Sequence, residues 1–117
     1  MERIKVQMDD PTFGPGVRKT ATATMSNPTD KSWDYTAELY LGEGKAASSG
    51  KVVFSIPANS SKDVNFPITM PSSEGTYSSY IDIYVSGVLI AAYQGTEDVI
   101  IETTPGIEVG PITWVSE

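Results

Sequence analysis

The chain contains neither histidine nor cysteine among its 117 residues. Activated nucleophiles of the Ser-His and Cys-His kinds need one of those two, so the commonest covalent mechanisms are excluded. Thiolate metal sites and disulfide frameworks are excluded with them, and the redox compartment is left open. Acid-base chemistry would fall to carboxylates such as Asp34, Glu38 and Asp82, because a carboxyl pair flanking a bond can serve as acid and base in a hydrolase. Carboxylates on a solvated face with no pocket have untuned pKa values, so the expectation is a protein that is not an enzyme. Asp9, Asp10, Asp30, Glu97 and Asp98 fall in acidic loops. None shows the spaced oxygen array of an EF-hand, so no metal and no cofactor are expected. The residue types best suited to recognition are the tyrosines. Tyr40, Tyr80, Tyr84 and Tyr93, with Glu38 and Asp82 beside them, offer rigid contact area at small cost in rotamer entropy, which suits a protein or glycan ligand. The same aromatic pairs would stabilise a sheet by up to about 1 kcal/mol each with no ligand present.

Charge narrows the partners. Fifteen acidic and eight basic residues give a net charge of -7, and of the basic residues only Arg18 and Lys19 are adjacent. Binding a polyanion by counterion release needs a concentrated cationic face, so nucleic acid is not an expected partner. No apolar run is long enough to span a bilayer, and the first residues lack the apolar core of a secretory leader. No membrane insertion is expected, and export would make this chain part of a larger protein.

The elements that would carry these side chains are all strands. Around Ser86-Gly87, two apolar runs meet at a turn suited to positive φ, which marks a hairpin. Pairing Val85 with Val88 sets Ile83 against Ile90 and Ile81 against Ala92 on one face, with Tyr84 against Leu89 and Tyr80 against Tyr93 on the other. Alternation predicts further strands over 3–8, 17–25, 33–41, 51–56 and 63–70. The strand over 33–41 turns Trp33, Tyr35, Ala37, Leu39 and Leu41 inward and Asp34, Thr36, Glu38 and Tyr40 outward. A one-residue slip would bury two carboxylates, so its register is firmly set. Pro67 places its strand at an edge or a bulge, or turns its nitrogen toward solvent. The segment 42–50, small and polar, predicts a mobile loop. The run Val99-Ile100-Ile101 predicts either a continuation of the last strand or an eighth one.

About seven strands at spacings near eight to twelve residues, without helical periodicity, predict an all-β fold: an immunoglobulin-like two-sheet antiparallel sandwich of seven to eight strands. It occupies residues 1–104. Residues 105–117 form a tail whose Ile107, Val109, Ile112, Trp114 and Val115 are too apolar for a plain linker, so it is expected to add a terminal strand or to meet a partner through Ile112 and Trp114. Trp33 is expected in the core, and Tyr77 at a strand corner with its hydroxyl bonded to backbone. Asn59-Ser60-Ser61 has the form of a glycosylation sequon.

The stretch TATATMSNPTDKSWDYTAELYLGEG resembles the second and third strands of the CARDB domains, cell-adhesion-related sandwich modules of bacteria and archaea. IPANSSKDVNFPITMPSSEGTYSSYIDIYV is similar to that family's later turn, strand and Gly-x-Tyr strand start, here Gly75, Thr76 and Tyr77. The likeness runs from about Val17 to Val85. It departs at Gln94 to Asp98, where many members carry an acidic, Asn-rich segment. It implies the fold, and loosely a spacer or adhesive role in exported proteins. Two functions are therefore expected. One is a non-catalytic binding or spacer module of a cell-surface or secreted protein, meeting protein or glycan through the tyrosine face. The alternative is a structural subunit of a virion or surface assembly, a homo-oligomer docked through the C-terminal tail.

Overall fold

A computed structural model describes residues 3–6, 11–103, 107 and 109–115. Eleven strands and no helix are present among them: β1 (Ile4–Val6), β2 (Thr12–Phe13), β3 (Arg18–Asn27), β4 (Trp33–Leu41), β5 (Ala47–Ser48), β6 (Val52–Ile56), β7 (Ser60–Thr69), β8 (Gly75–Tyr77), β9 (Ser79–Val85), β10 (Val88–Gly95) and β11 (Val99–Ile101). The main layer runs β1-β10-β9-β4, with β5 and β6 sharing the far side of β4. The facing layer holds only β3 and β7, and a small sheet β2-β11-β8 stands apart. The first two strands both pair in parallel with the last two, β1 with β10 and β2 with β11.

Phe66 and Ile56 are fully buried between the layers, joined by Ala37, Leu41, Val64 and Ile68. These are the residues whose alternation marked β4, β6 and β7. The turn at 27–31 is organised by Asn27, 1% exposed. Its Nδ2 donates to the carbonyls of Lys31, Ile56 and Pro57, and its Oδ1 accepts from the Thr29 backbone N–H and hydroxyl. One side chain therefore satisfies five groups that the turn would otherwise leave short of partners.

The hairpin forms where expected, and one detail of it differs. Ser86 and Gly87 have φ of 51° and 79°, the pair of left-handed residues that a tight reversal between twisted strands requires. Val88 faces Val85 and Leu89 faces Tyr84, but a bulge then interposes Ile90, and Ala91 faces Ile83. From there the register is moved by one residue: Tyr93 lies opposite Ile81 and Gln94 opposite Tyr80. A single extra residue exchanges the two faces of everything beyond it. Ala91 and Tyr93 consequently pack with the core, whereas Ile90 is half exposed.

One further expectation is overturned and three are narrowed. The segment 42–50 is built around a turn from Gly42 to Lys45 and the short strand β5, paired with β4 at Tyr40 and Leu41. The run after Gly95 is a separate strand, β11, held by β2 and β8. The described tail residues, 107 and 109–115, form no strand and are exposed. Of the strand expected over 3–8, β1 occupies Ile4–Val6, and residues 7 and 8 lie outside the described residues.

Candidate functional site

Two regions carry the side chains of interest, and the outer face of the main layer is the first. In the β4–β9 register Glu38 lies opposite Asp82 and Tyr40 opposite Tyr80, so strand alternation brings together the carboxylates and tyrosines that the sequence pointed to. Each is already engaged. Arg3, just before β1, donates from Nη1 to Asp82 Oδ1 at 2.7 Å and from Nη2 to the Tyr40 hydroxyl at 2.7 Å. The Tyr40 hydroxyl donates to the other Asp82 oxygen at 2.8 Å. The Arg3 guanidinium also lies 4.4 Å from the Tyr80 ring centre, within cation-π range. At the other side of Tyr40, Lys45 Nζ is 4.9 Å from the ring centre and 2.8 Å from Glu38 Oε1, while the Ser48 hydroxyl donates to Glu38 Oε2. Lys45 is held there by its positive φ of 56° at the end of the 42–45 turn.

These contacts leave Glu38, Tyr40, Tyr80 and Asp82 all under 9% exposed on a face expected to be solvated. Burial pushes the Glu38 carboxyl up, but hydrogen bonds from Lys45 and Ser48 with the Lys45 charge outweigh it, and the carboxyl sits below its ordinary value. Burial and the neighbouring Asp82 raise the Tyr40 hydroxyl. Neither shift suits a general base or acid near neutrality. Tyr84 is half-buried on the same face, and Tyr93 lies on the opposite, inward one. Asp34 bonds to Ser55 along the β4–β6 pair. Among the described residues no cluster of potential metal ligands is present; Asp30 and the adjacent Glu97 and Asp98 are exposed, and Asp9 and Asp10 lie outside the described residues. Arg3 was missed as a site residue because its partners are 37 and 79 positions away and no local pattern points to them.

The second region is the flank of the sandwich beside β3. Strands lie about 4.8 Å apart, so the two-stranded layer covers a width of about 10 Å against roughly 24 Å for a layer five strands wide. β7 lies across β4, β5 and β6, which leaves the inner face of β9 and β10 uncovered beyond β3. Two grooves result, of about 620 and 430 Å³. Ala23, Ile81 and Tyr93 line both, and Trp33 and Ile90 lie along the larger one. Trp33 is therefore on the inward side as expected yet 40% exposed, with its Nε1 bonded to Thr29 Oγ1 at 2.9 Å.

The edge of β3 beside this slot is also open. Met70 N–H donates to the Val17 carbonyl at 2.8 Å, which makes 17 and 70 a hydrogen-bonded pair. The register then directs the odd-numbered backbone groups of β3 toward β7 and those of Arg18, Thr20, Thr22, Thr24 and Ser26 outward. Pro67, opposite Thr20, occupies a position whose nitrogen points away from β3, so its missing donor costs the ladder nothing. Among the described residues no strand pairs with the outward edge of β3.

The Tyr77 hydroxyl donates to the Ser73 carbonyl at 2.8 Å, closing the corner before β9. Gly75 has φ of 154°, a backbone conformation that residues with a Cβ rarely adopt, while the Tyr77 ring, 3.7 Å from where that Cβ would stand, would be in ordinary contact with it. No family model and no curated protein sequence matches this chain. Among solved structures it is similar to PapD-like domain 7 of human CEP192, an ASH/PapD-like domain, with a TM-score of 0.50 and 11% identity over 87% of this chain and 84% of that one. The chain is an immunoglobulin-like β-sandwich. At that identity the likeness concerns the fold alone.

Proposed function

We propose that this immunoglobulin-like domain is a non-catalytic binding module that takes up an extended polypeptide segment along its open flank. The observation that carries this reading is the coincidence of an apolar slot with a free strand edge. A segment laid beside β3 would find outward N–H and C=O groups at five alternate positions and an apolar floor at Ile81, Ile83 and Ala91. Main-chain pairing gives such complexes their affinity, and pockets for alternate side chains give them selectivity.

The outer tyrosine face is a weaker candidate for protein or glycan. Its two carboxylates, the Tyr40 hydroxyl and the Tyr40 and Tyr80 rings are engaged by Arg3 and Lys45, so a ligand using them would first have to displace an ion pair. The same engagement supports a non-enzymatic role, since neither Glu38 nor Asp82 is left unpaired. Kinship with the CARDB modules, and an adhesive or spacer role at a cell surface, belongs to the same reading. The strand spacing and the Tyr77 corner support it.

The test is a nuclear magnetic resonance titration with a panel of extended apolar peptides of eight to ten residues. Binding should shift the amides of Thr20, Thr22 and Thr24 and slow their exchange with solvent. If bound peptides perturb only the Tyr80 and Asp82 face, or if none binds at millimolar concentration, the proposal fails.

A further inference from the structure

We infer that the occupant of the slot is the C-terminal tail of a second copy of this chain, so that copies join head to tail. This rests on the slot being a strand-binding site and goes further in naming what fills it. Among the described residues, two apolar surfaces lack a partner. One is the slot. The other is the tail, where Ile107, Val109, Ile112, Trp114 and Val115 are between 76 and 93% exposed. Isolated apolar side chains on a surface need no explanation, but five within nine residues form a segment that water disfavours and that an apolar groove would accept.

Length, spacing and charge agree with this pairing. The edge of β3 from Lys19 to Ser26 spans eight residues, about 27 Å of strand, and the tail from 107 to 115 spans nine, about 30 Å when extended. Ile107 and Val109 share one strand parity, and Ile112 and Trp114 share the other. A bulge at Gly110 would bring both pairs to one side, and Pro111 beside it has no N–H to lose from a ladder. Two apolar pairs then meet two grooves, and the larger groove suits the bulkier pair with Trp114. Residues 105–117 contain two glutamates and no basic residue, while Arg18 and Lys19 are exposed at one end of the slot. None of the described tail residues lines either groove, so the chain does not fill its own slot. A tail that leaves one copy and enters the next makes a contact between unlike surfaces, which gives a ring where the rotation closes and a filament where it does not.

Because the chain has no cysteine, single introduced thiols report on this contact directly. Full-length A23C and I112C chains, mixed and treated with a short bismaleimide, should give a cross-linked dimer, and adding Trp114→Glu to the I112C chain should abolish it. V53C, exposed on the far edge at β6, replaces A23C as the control and should give none. In sedimentation velocity the native chain should grow in mass with concentration, and Trp114→Glu should remain a monomer. Equal cross-linking to V53C would overturn the inference. So would a doubly substituted A23C/I112C chain that links only within itself. If a synthetic peptide of residues 105–117 leaves the amides of β3 unchanged while other apolar peptides protect them, the tail assignment is lost and the slot reading stands. If no peptide protects them, both are lost.

Discussion

Arg3 is the residue on which the outer face depends, since its guanidinium is shared between the Asp82 carboxylate, the Tyr40 hydroxyl and the Tyr80 ring. Arg3→Ala leaves Asp82 buried without its cation and should cost about 2 kcal/mol in urea unfolding. Arg3→Lys should recover only part of that, because an ammonium cannot reproduce the fork. Glu38 makes a pH-dependent contribution. Its folded carboxyl lies below the ordinary value of 4.5, so the stabilisation it provides is present above that value and is lost as pH falls through the lower folded one. Glu38→Gln should flatten the acid limb of a stability-pH profile below about pH 4.5, and Lys45→Ala should do so in part. Alternation alone placed Tyr40, Tyr80, Glu38 and Asp82 on one face. It could not supply Arg3, because a three-residue parallel pairing between the two ends of a chain leaves no trace in local sequence.

At the level of elements, the bulge in β10 decides which side chains reach the core. Deleting Ile90 would remove the bulge yet keep Ala91 opposite Ile83 and Tyr93 opposite Ile81, so the variant should stay within about 1 kcal/mol of the native chain, read as a little-changed urea midpoint. Pro67→Val should stay within about 1 kcal/mol of the native chain, since the nitrogen it restores points away from β3. The turn was legible because Ser86-Gly87 is a pair suited to left-handed φ. The bulge was not, because Val88 to Ala92 is apolar at every position and so carries no phase. The 42–50 segment misleads for a different reason: its small residues suggest mobility, but Ala46 N–H to Leu41 O and Ser49 N–H to Leu39 O fasten it to β4.

For the molecule as a whole, the strand pattern revealed the sandwich and not its asymmetry. Ala21, Ala23 and Met25 alternate as a core strand should, yet Ala21 is exposed and the other two only half-buried, because the neighbour that would cover them is not supplied by the described residues. Removing residues 105–117 should leave the unfolding free energy of the dilute monomer within about 0.5 kcal/mol of the native value, as the described tail residues contribute nothing to the core. A second property of the whole follows from the chain ends. β1 lies parallel to β10 and β2 parallel to β11, so tension applied at the two termini drags these partners past one another along their length. Their inter-strand bonds must then rupture together rather than one by one, and a tandem array of such units would resist stretching through its end strands before its interior felt the load.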